Sequence, residues 1–487
     1  MAKNLKKIFN FKNGSSEEKT RNFVLVFLFF LWFINPSNKL ILFFFLILLC
    51  VLVYLTKKLD TSLVLTFLLS SFFSVGKTYF VQLLDLKKFP YLIDLYPFGL
   101  VTRIQISVSD VLSAFLVVYS IIICYKKKIK FKKISLIDIS LIIFLFYGIF
   151  ADIASSNNLL LSFLLKKDLF EYIFMYFVIR FIIKDQSFFF RTFLALLTSL
   201  ILFETFVGLQ QFIFSSPIGK SLEATFSIES FGGVPDEISF VFRTIGTFIH
   251  ANLFAMFLAT VLPFFIFFII KSRKYFFKVI FFLIIICLIL TLSRAAWLAS
   301  LISLFLILFY FEYHKKIVLI ESLSPKKILI FIVLCLPLFF YSFPRIMQAS
   351  NILQEGGGLN LRIKQTNEVL GLIAQSPLFG TGTGMSVIKA IEKNPIGVFA
   401  SFPSEIHNYF LLLAVENGLP YLGFFVIFLF FSLKKLISHN EDLTFISFIS
   451  LITMIIIGLF QPFLISQLLF ILLAFDYDKI SKDSYDF

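Results

Sequence analysis

One imidazole, with three polar residues starting nine positions later, is where this chain sets titratable chemistry beside an apolar helix. His407 and Asn408 open an apolar run, and Glu416, Asn417 and Gly418 interrupt it. Nine helical residues rise about 13 Å, so the interruption is expected well inside a hydrocarbon layer about 30 Å thick, where polar groups are expensive and need a reason. A neutral imidazole, with an ordinary pKa of about 6.5, can accept a proton from a hydroxyl without help from a metal. Of the four histidines, His314 and His439 fall in basic connectors, which leaves His250 and His407 for the opposite side of a membrane. Taken alone, His407 also reads as a structural residue at a helix start.

Three arginines are expected on the same side. Leu292-Ser293-Arg294-Ala295-Ala296-Trp297 separates two apolar runs so narrowly that the chain must reverse there. Ser293 can cap the next helix, and Arg294 then lies in its first turn, where free N–H groups, the positive helix end and a guanidinium converge on one point. That is an anion site; an arginine snorkelling to headgroups beside an interfacial tryptophan is the other reading. Arg243, His250 and Asn252 could line a polar entrance or act as interfacial anchors, and Arg362 could face a ligand or solvent. The string Gly380-Thr381-Gly382-Thr383-Gly384 lacks the Lys-Ser/Thr of a P-loop and its strand, so it reads as a flexible turn after Ser376-Pro377. No D-x-D and no His/Asp cluster occurs in the loops on this side, so no metal and no cofactor is expected.

What must hold these groups is set by composition. With 59% hydrophobic residues, mean hydropathy +0.94 and 15% charged residues over 487 positions, the chain is an integral membrane protein. Its 72 phenylalanines read as lipid-facing filler. A net charge of +15 could suggest nucleic acid, but the lysines and arginines sit in short connectors between apolar runs, the positive-inside pattern of a membrane protein in contact with lipid headgroups. Cys50, Cys124, Cys287 and Cys335 lie far apart in apolar runs, form no metal or disulfide pattern, and read as small core residues.

Apolar runs fall near 22–34, 40–55, 61–76, 108–124, 136–154, 168–183, 192–214, 247–270, 276–292, 295–311, 328–343, 407–433, 443–459 and 463–476. The expected fold class is therefore an all-α polytopic integral membrane protein with about 12–14 transmembrane helices and a long extracytoplasmic loop carrying short helices. Strict alternation from a cytoplasmic start puts every basic connector on the cytoplasmic side, together with both termini. The division is then 1–21, a basic cytoplasmic N-terminus; 22–343, the first part of the bundle, with an extracytoplasmic loop at 215–245; 344–406, a long extracytoplasmic cap; 407–476, the last part of the bundle; and 477–487, a cytoplasmic tail. An amphipathic segment, Leu361 to Ala374, is expected to be helical within that cap.

His407-Asn408, nine residues, then Gly418 resembles the His-Asn/Ser/Gln-x9-Gly-x-x-Gly signature of the bacterial O-antigen ligase and O-antigen polymerase superfamily. T-L-S-R-A-A-W at 291–297, R-T-I-G-T-F-I-H-A-N at 243–252 and R-I-K-Q with S-P-L-F-G-T-G-T-G at 362–384 are similar to that family's pattern, in the same order. The resemblance covers roughly 240 to 475, and it departs at Tyr421, where the family has glycine. It implies a membrane glycosyltransferase that moves a glycan from a polyprenyl-diphosphate donor to an acceptor hydroxyl on a glycan, lipid or protein, at the outer face of the inner membrane. It further implies that Arg294 and Arg362 hold the diphosphate and that His407 activates the acceptor. Arg243 is grouped with the arginines, and Ser293, His250, Asn252, Asn408 and Glu416 are grouped as supporting residues. Metal-independent, inverting transfer is the expected chemistry. The rival class, a transporter or flippase of lipid-linked glycans, requires ionisable residues deep in several helices and paired halves; Glu204, Glu416, Glu171 and Arg180 are the candidates, and no repeat of fixed period is visible.

Overall fold

The computed structural model describes residues 15–73, 76–82, 101–127, 134–155, 159–220, 242–313, 358–438 and 441–477, apart from 273, 402, 464 and 465, together with 222 and 480. Helices dominate, as an apolar solvent demands, because a helix satisfies its own N–H and C=O groups. The chain opens with a helical hairpin, α1 (Ser16–Ile34) and α2 (Asn38–Thr56). Ser15 caps α1 through the Glu18 N–H, and Asn35, at a left-handed φ of 52°, ends it and turns the chain back. α3 (Leu59–Ser71) is followed by an antiparallel pair, β1 (Gly76–Gln82) and β2 (Val101–Ser107), with Gly76 opposite Ser107. This pair was not foreseen, although Thr78-Tyr79-Phe80-Val81 is rich in residues that favour strands.

The bundle continues with α4 (Val108–Lys127), α5 (Leu136–Ala154), α6 (Leu159–Phe177) running into a π-helical turn (Val178–Ile182), α7 (Gln186–Phe214), α8 (Ala251–Ser272), α9 (Tyr275–Leu290) and α10 (Arg294–Tyr313). After the gap come α11 (Gly358–Gln375), α12 (Ser386–Lys393), α13 (Val398–Ser401), α14 (Tyr409–Asn417), α15 (Leu419–Ser438), α16 (Asp442–Gly458) and α17 (Gln467–Ala474). Among the described residues, α4, α5, α7, α8, α10 and α15 are long and apolar enough to cross a membrane, and α2, α3, α9 and α16 contain shorter apolar helices. The architecture is that of a polytopic helical membrane protein. The expected span at 328–343, most of the loop at 215–245, residues 1–14 and the tail at 481–487 lie outside the described residues.

α7 and α8 form the centre: 83% of each apolar window is buried, against 28% for α4 and 33% for α10 and α15. α7 packs on α1 and α9, while α8 packs on α9, α10 and α16. Phenylalanine fills this core as well as the lipid-facing surface. Phe45, Phe67, Phe144, Phe189, Phe203, Phe254 and Phe265 are among the largest fully buried side chains, which corrects the view of phenylalanine as filler for the exterior. Cys287 is buried as expected, but Cys50 is exposed.

Two apolar runs divide differently from their hydropathy. The run at 247–270 becomes helical only at Ala251, after a turn, and the run at 407–433 breaks at Gly418 into α14 and α15. Both breaks place main-chain polar groups at a helix end, where they need partners.

Candidate functional site

The segment 243–252 is held by two polar residues near the end of α7. Gln211 accepts from the N–H groups of Ile245 (3.1 Å) and Gly246 (3.0 Å) and donates to the Gly246 carbonyl (2.7 Å). Glu204, fully buried, accepts from the Thr247 N–H at 2.9 Å and from the Thr247 hydroxyl. Gly246 sits at φ 60°, and a Cβ there would run into the Glu204 carboxylate. Glu204 is thereby tied to a turn. Its place is that of a carboxyl satisfied inside the bundle by short, directed hydrogen bonds.

Arg243 is buried and works across that turn. Its Nε donates to the Thr291 carbonyl at 2.8 Å and its Nη2 to Asn252 Oδ1 at 2.7 Å, while Asn252 Nδ2 donates to Gln461 Oε1 at 2.9 Å. The Thr244 N–H reaches the Leu290 carbonyl at 3.2 Å. Arg243 and Asn252 thus bind the 243–252 segment to the 291–294 reversal and to the end of α16. Two donors of Arg243 are committed to protein acceptors, which gives it an organising position.

At the reversal, Leu292 adopts a left-handed φ of 53°, the buried Ser293 accepts the Trp297 N–H on its carbonyl at 3.0 Å, and α10 begins at Arg294. Ser293 and Arg294 therefore occupy the expected helix-start positions, with Arg294 exposed.

His407 lies just before α14. The Asn408 N–H bonds the Ile406 carbonyl at 2.8 Å, a three-residue turn centred on the histidine. Asn408 is the N-cap of α14, its side chain accepting from the Leu411 N–H at 3.1 Å, so its supporting role is to start the helix. From α11, the buried Gln365 donates to Ser404 Oγ at 3.2 Å, fixing the segment that carries the histidine. Arg362, one turn earlier on α11, shares that face.

The charges show which groups gather. Burial first, and then the Arg362 cation, lowers His407 to about 4. Burial first, and then Arg243 and His407, lowers His250 to about 4. Both imidazoles are thus neutral at pH 7, with Arg362, His407, His250 and Arg243 forming one electrostatically connected row. Arg294 stands outside the set of groups acting on the two rings. His250 Nδ1 accepts the Asn252 N–H at 3.0 Å, which assigns the proton of the neutral ring to Nε2. His407 Nδ1 is buried without a hydrogen-bond partner. No hydrogen bond at Nδ1 therefore fixes the tautomer of this ring, in contrast to His250.

Glu416 and the glycine string belong together, and the string is not a flexible turn. The Thr381 and Gly382 N–H groups donate to the Val415 and Glu416 carbonyls, both at 2.8 Å, satisfying carbonyls left over at the C-terminal end of α14. Ser386 Oγ donates to Glu416 Oε1 at 3.0 Å. Gly380, Gly382 and Gly384 hold φ of 69°, 94° and 72°, and a Cβ on Gly380 or Gly418 would enter the facing main chain. Glu416 and Asn417 thus meet protein at the depth where lipid was expected.

Behind them lies a buried group that sequence reasoning missed. Asp152 Oδ1 accepts from the Thr383 N–H (3.1 Å), Thr383 Oγ1 (2.8 Å) and Asn417 Nδ2 (3.1 Å), and Asp152 Oδ2 pairs with Lys166 at 2.6 Å. An aspartate inside the 136–154 run, with a lysine just ahead of the 168–183 run, was the available signal. Tyr421, the departure from the family pattern, is buried and stacks on Phe144 at 4.3 Å. Its ring fills the space a side chain at Gly148 would need, since a Cβ there would lie 2.7 Å from the Tyr421 ring.

A carboxylate group also forms away from the loops. Asp110, Asp168 and Glu171, on α4 and α6, bring one oxygen each within 4.8 Å of one another. Lys167 Nζ lies 2.6 Å from both Asp110 oxygens and Ser113 donates to Glu171 at 2.6 Å, so the group is offset internally and shares no member with the imidazole row.

Residues 279–426 match the family model described as O-antigen ligase. No curated protein matches the chain. The matched stretch contains Arg294, Arg362, His407 and Glu416, while Arg243 and His250 precede it and join the site only through the fold. The match supports O-antigen ligase or polymerase activity in general, that is, a glycosyl-transferring membrane enzyme.

Proposed function

From a chain that carries a domain of the O-antigen ligase and polymerase superfamily at 279–426, we propose transfer of a glycan from a polyprenyl-diphosphate donor to an acceptor hydroxyl at the outer face of the inner membrane. The lipid tail would lie in the bilayer and the diphosphate at the level of Arg362 and Arg294. The acceptor oxygen attacks the anomeric carbon, the bond to the diphosphate oxygen breaks, and the hydroxyl proton passes to His407. One in-line displacement inverts the anomeric configuration. The leaving diphosphate needs positive charge more as the bond breaks, and fixed guanidinium groups supply it without a divalent ion.

The observation that carries this reading is His407 itself: a neutral imidazole just before α14, beside the Arg362 cation. Arg243 and Asn252 take an organising part, and Glu416 anchors the far end of α14. The basic connectors favour cytoplasmic termini and an extracytoplasmic site. Growth of a repeat polymer is preferred over ligation because no feature marks a lipid-core or protein acceptor.

Radiolabelled polyprenyl-diphosphate oligosaccharide in proteoliposomes tests the reading. Chain extension or transfer to an added acceptor supports it, with chelator leaving the rate unchanged. Movement of label across the bilayer without a new glycosidic bond would refute it. His407→Ala should lower turnover about 100-fold or more while donor binding persists.

A further inference from the structure

The far end of α7 carries a cavity of about 340 Å³ that the transfer reaction does not use. It opens between the turn joining α2 to α3 and the turn that joins the π-helical segment to α7. α7 is 29 residues long, about 43 Å, and it holds the 245–247 turn near its other end through Gln211. The cavity therefore faces the membrane surface opposite the imidazole row, whichever side that row occupies.

Its walls are of two kinds. Lys57, Lys58 and Lys184 line it together with the Tyr119 side chain, and Ile123 and Ile182 supply apolar surface. Of its two acids, Asp185 pairs with Lys58 at 2.7 Å and caps α7 through the Phe188 N–H at 3.0 Å, while Asp60 accepts the Thr61 N–H at 2.8 Å and keeps its charge, so the lining of three lysines and two aspartates is net positive by one. Among the described residues, Lys57 and Lys184 make no ion pair. The backbone turns at two points on the cavity wall. Lys57 holds a left-handed φ of 56°, and the π turn ends at Ile182 on the cavity wall, with the Ile183 N–H reaching the Val178 carbonyl at 3.1 Å.

We propose that this cavity binds the phosphate of an anionic phospholipid in the leaflet opposite the transfer site, with Lys57 and Lys184 contacting the phosphate and the isoleucines the glycerol and upper acyl region. The mixed wall favours a lipid over free phosphate, because a small anion would gain nothing from the apolar side. The proposal is independent of the transferase reading, and its test uses no activity.

Native mass spectrometry of the full-length protein, released from micelles doped with phosphatidylglycerol, phosphatidylcholine or inorganic phosphate, reads the binding directly. Wild type should retain phosphatidylglycerol in preference to phosphatidylcholine. Lys57→Gln/Lys184→Gln should weaken that binding about tenfold, Lys57→Arg/Lys184→Arg should keep it, and Lys274→Gln/Lys278→Gln, which removes the same charge from exposed positions elsewhere, should leave it unchanged. Equal losses in the two glutamine pairs, no preference for the anionic lipid, or equal retention of inorganic phosphate would each overturn the proposal.

Discussion

Acidification removes the neutral imidazole that the proposed transfer requires, and the structure says where this should occur. In the unliganded protein, burial and then the neighbouring Arg362 charge hold His407 at about 4. Because kcat/KM reports the free enzyme, it should stay level from neutral pH down to about pH 5 and fall tenfold per unit below about 4. A bound diphosphate reverses the local field. One negative charge at about 5 Å, in an effective dielectric of about 20, contributes about 3 kcal/mol, or about 2.5 pK units. The acid limb of kcat should therefore appear near pH 6 to 7, about two units above that of kcat/KM. Arg362→Gln, by removing the cation that repels the protonated ring, should shift the kcat/KM limb upward while weakening donor binding. Initial transfer rates in proteoliposomes, at limiting and saturating donor across pH 3.5 to 8.5, measure both limbs. A kcat/KM limb at the reference value of about 6.5, limbs that coincide, or a profile unchanged in the residual activity of His407→Ala would refute the reasoning.

Other outcomes follow from the packing. Stability itself should fall as pH drops from about 6.5 to about 4, because the unfolded chain protonates His250 and His407 before the folded one can; thermal melts across this window check it. Gly148→Ala should cost about 1–3 kcal/mol by pressing on the Tyr421 ring, and a double-mutant cycle with Tyr421→Ala should show that penalty relieved. Asp152→Ala should cost about 3–5 kcal/mol, because Lys166 loses its buried ion-pair partner and Thr383 and Asn417 lose their acceptor, and Asp152→Leu/Lys166→Met should stay destabilised because the Thr383 and Asn417 donors remain unpaired; chemical denaturation checks both. Gly418→Ala, which drives a Cβ into the Leu378 carbonyl, should loosen α14 and lower transfer, seen as protease sensitivity near 378–384.

The solvent, the helical class and the basic connectors were legible in the chain, since hydropathy and charge placement act locally and need no partner to be read. The helix start at Arg294 was legible too, because a serine just before an apolar run marks a helix start locally, whereas the Asn408 cap at Tyr409 came from the structure. What tertiary structure decided is everything that depends on a group far along the chain. Glu416 looked like a charge in lipid and is a buried carboxyl packed under a glycine turn and hydrogen-bonded by Ser386. Arg243, grouped with the donor-holding arginines, uses two of its donors to brace 252 against 291. Tyr421 looked like a missing glycine, and the glycine it needs is Gly148, on another helix. The lowered pKa of His407 likewise comes from burial and from Arg362, 45 positions away in the sequence. A side chain's neighbours set its cost and its protonation, and spacing along one helix cannot report them.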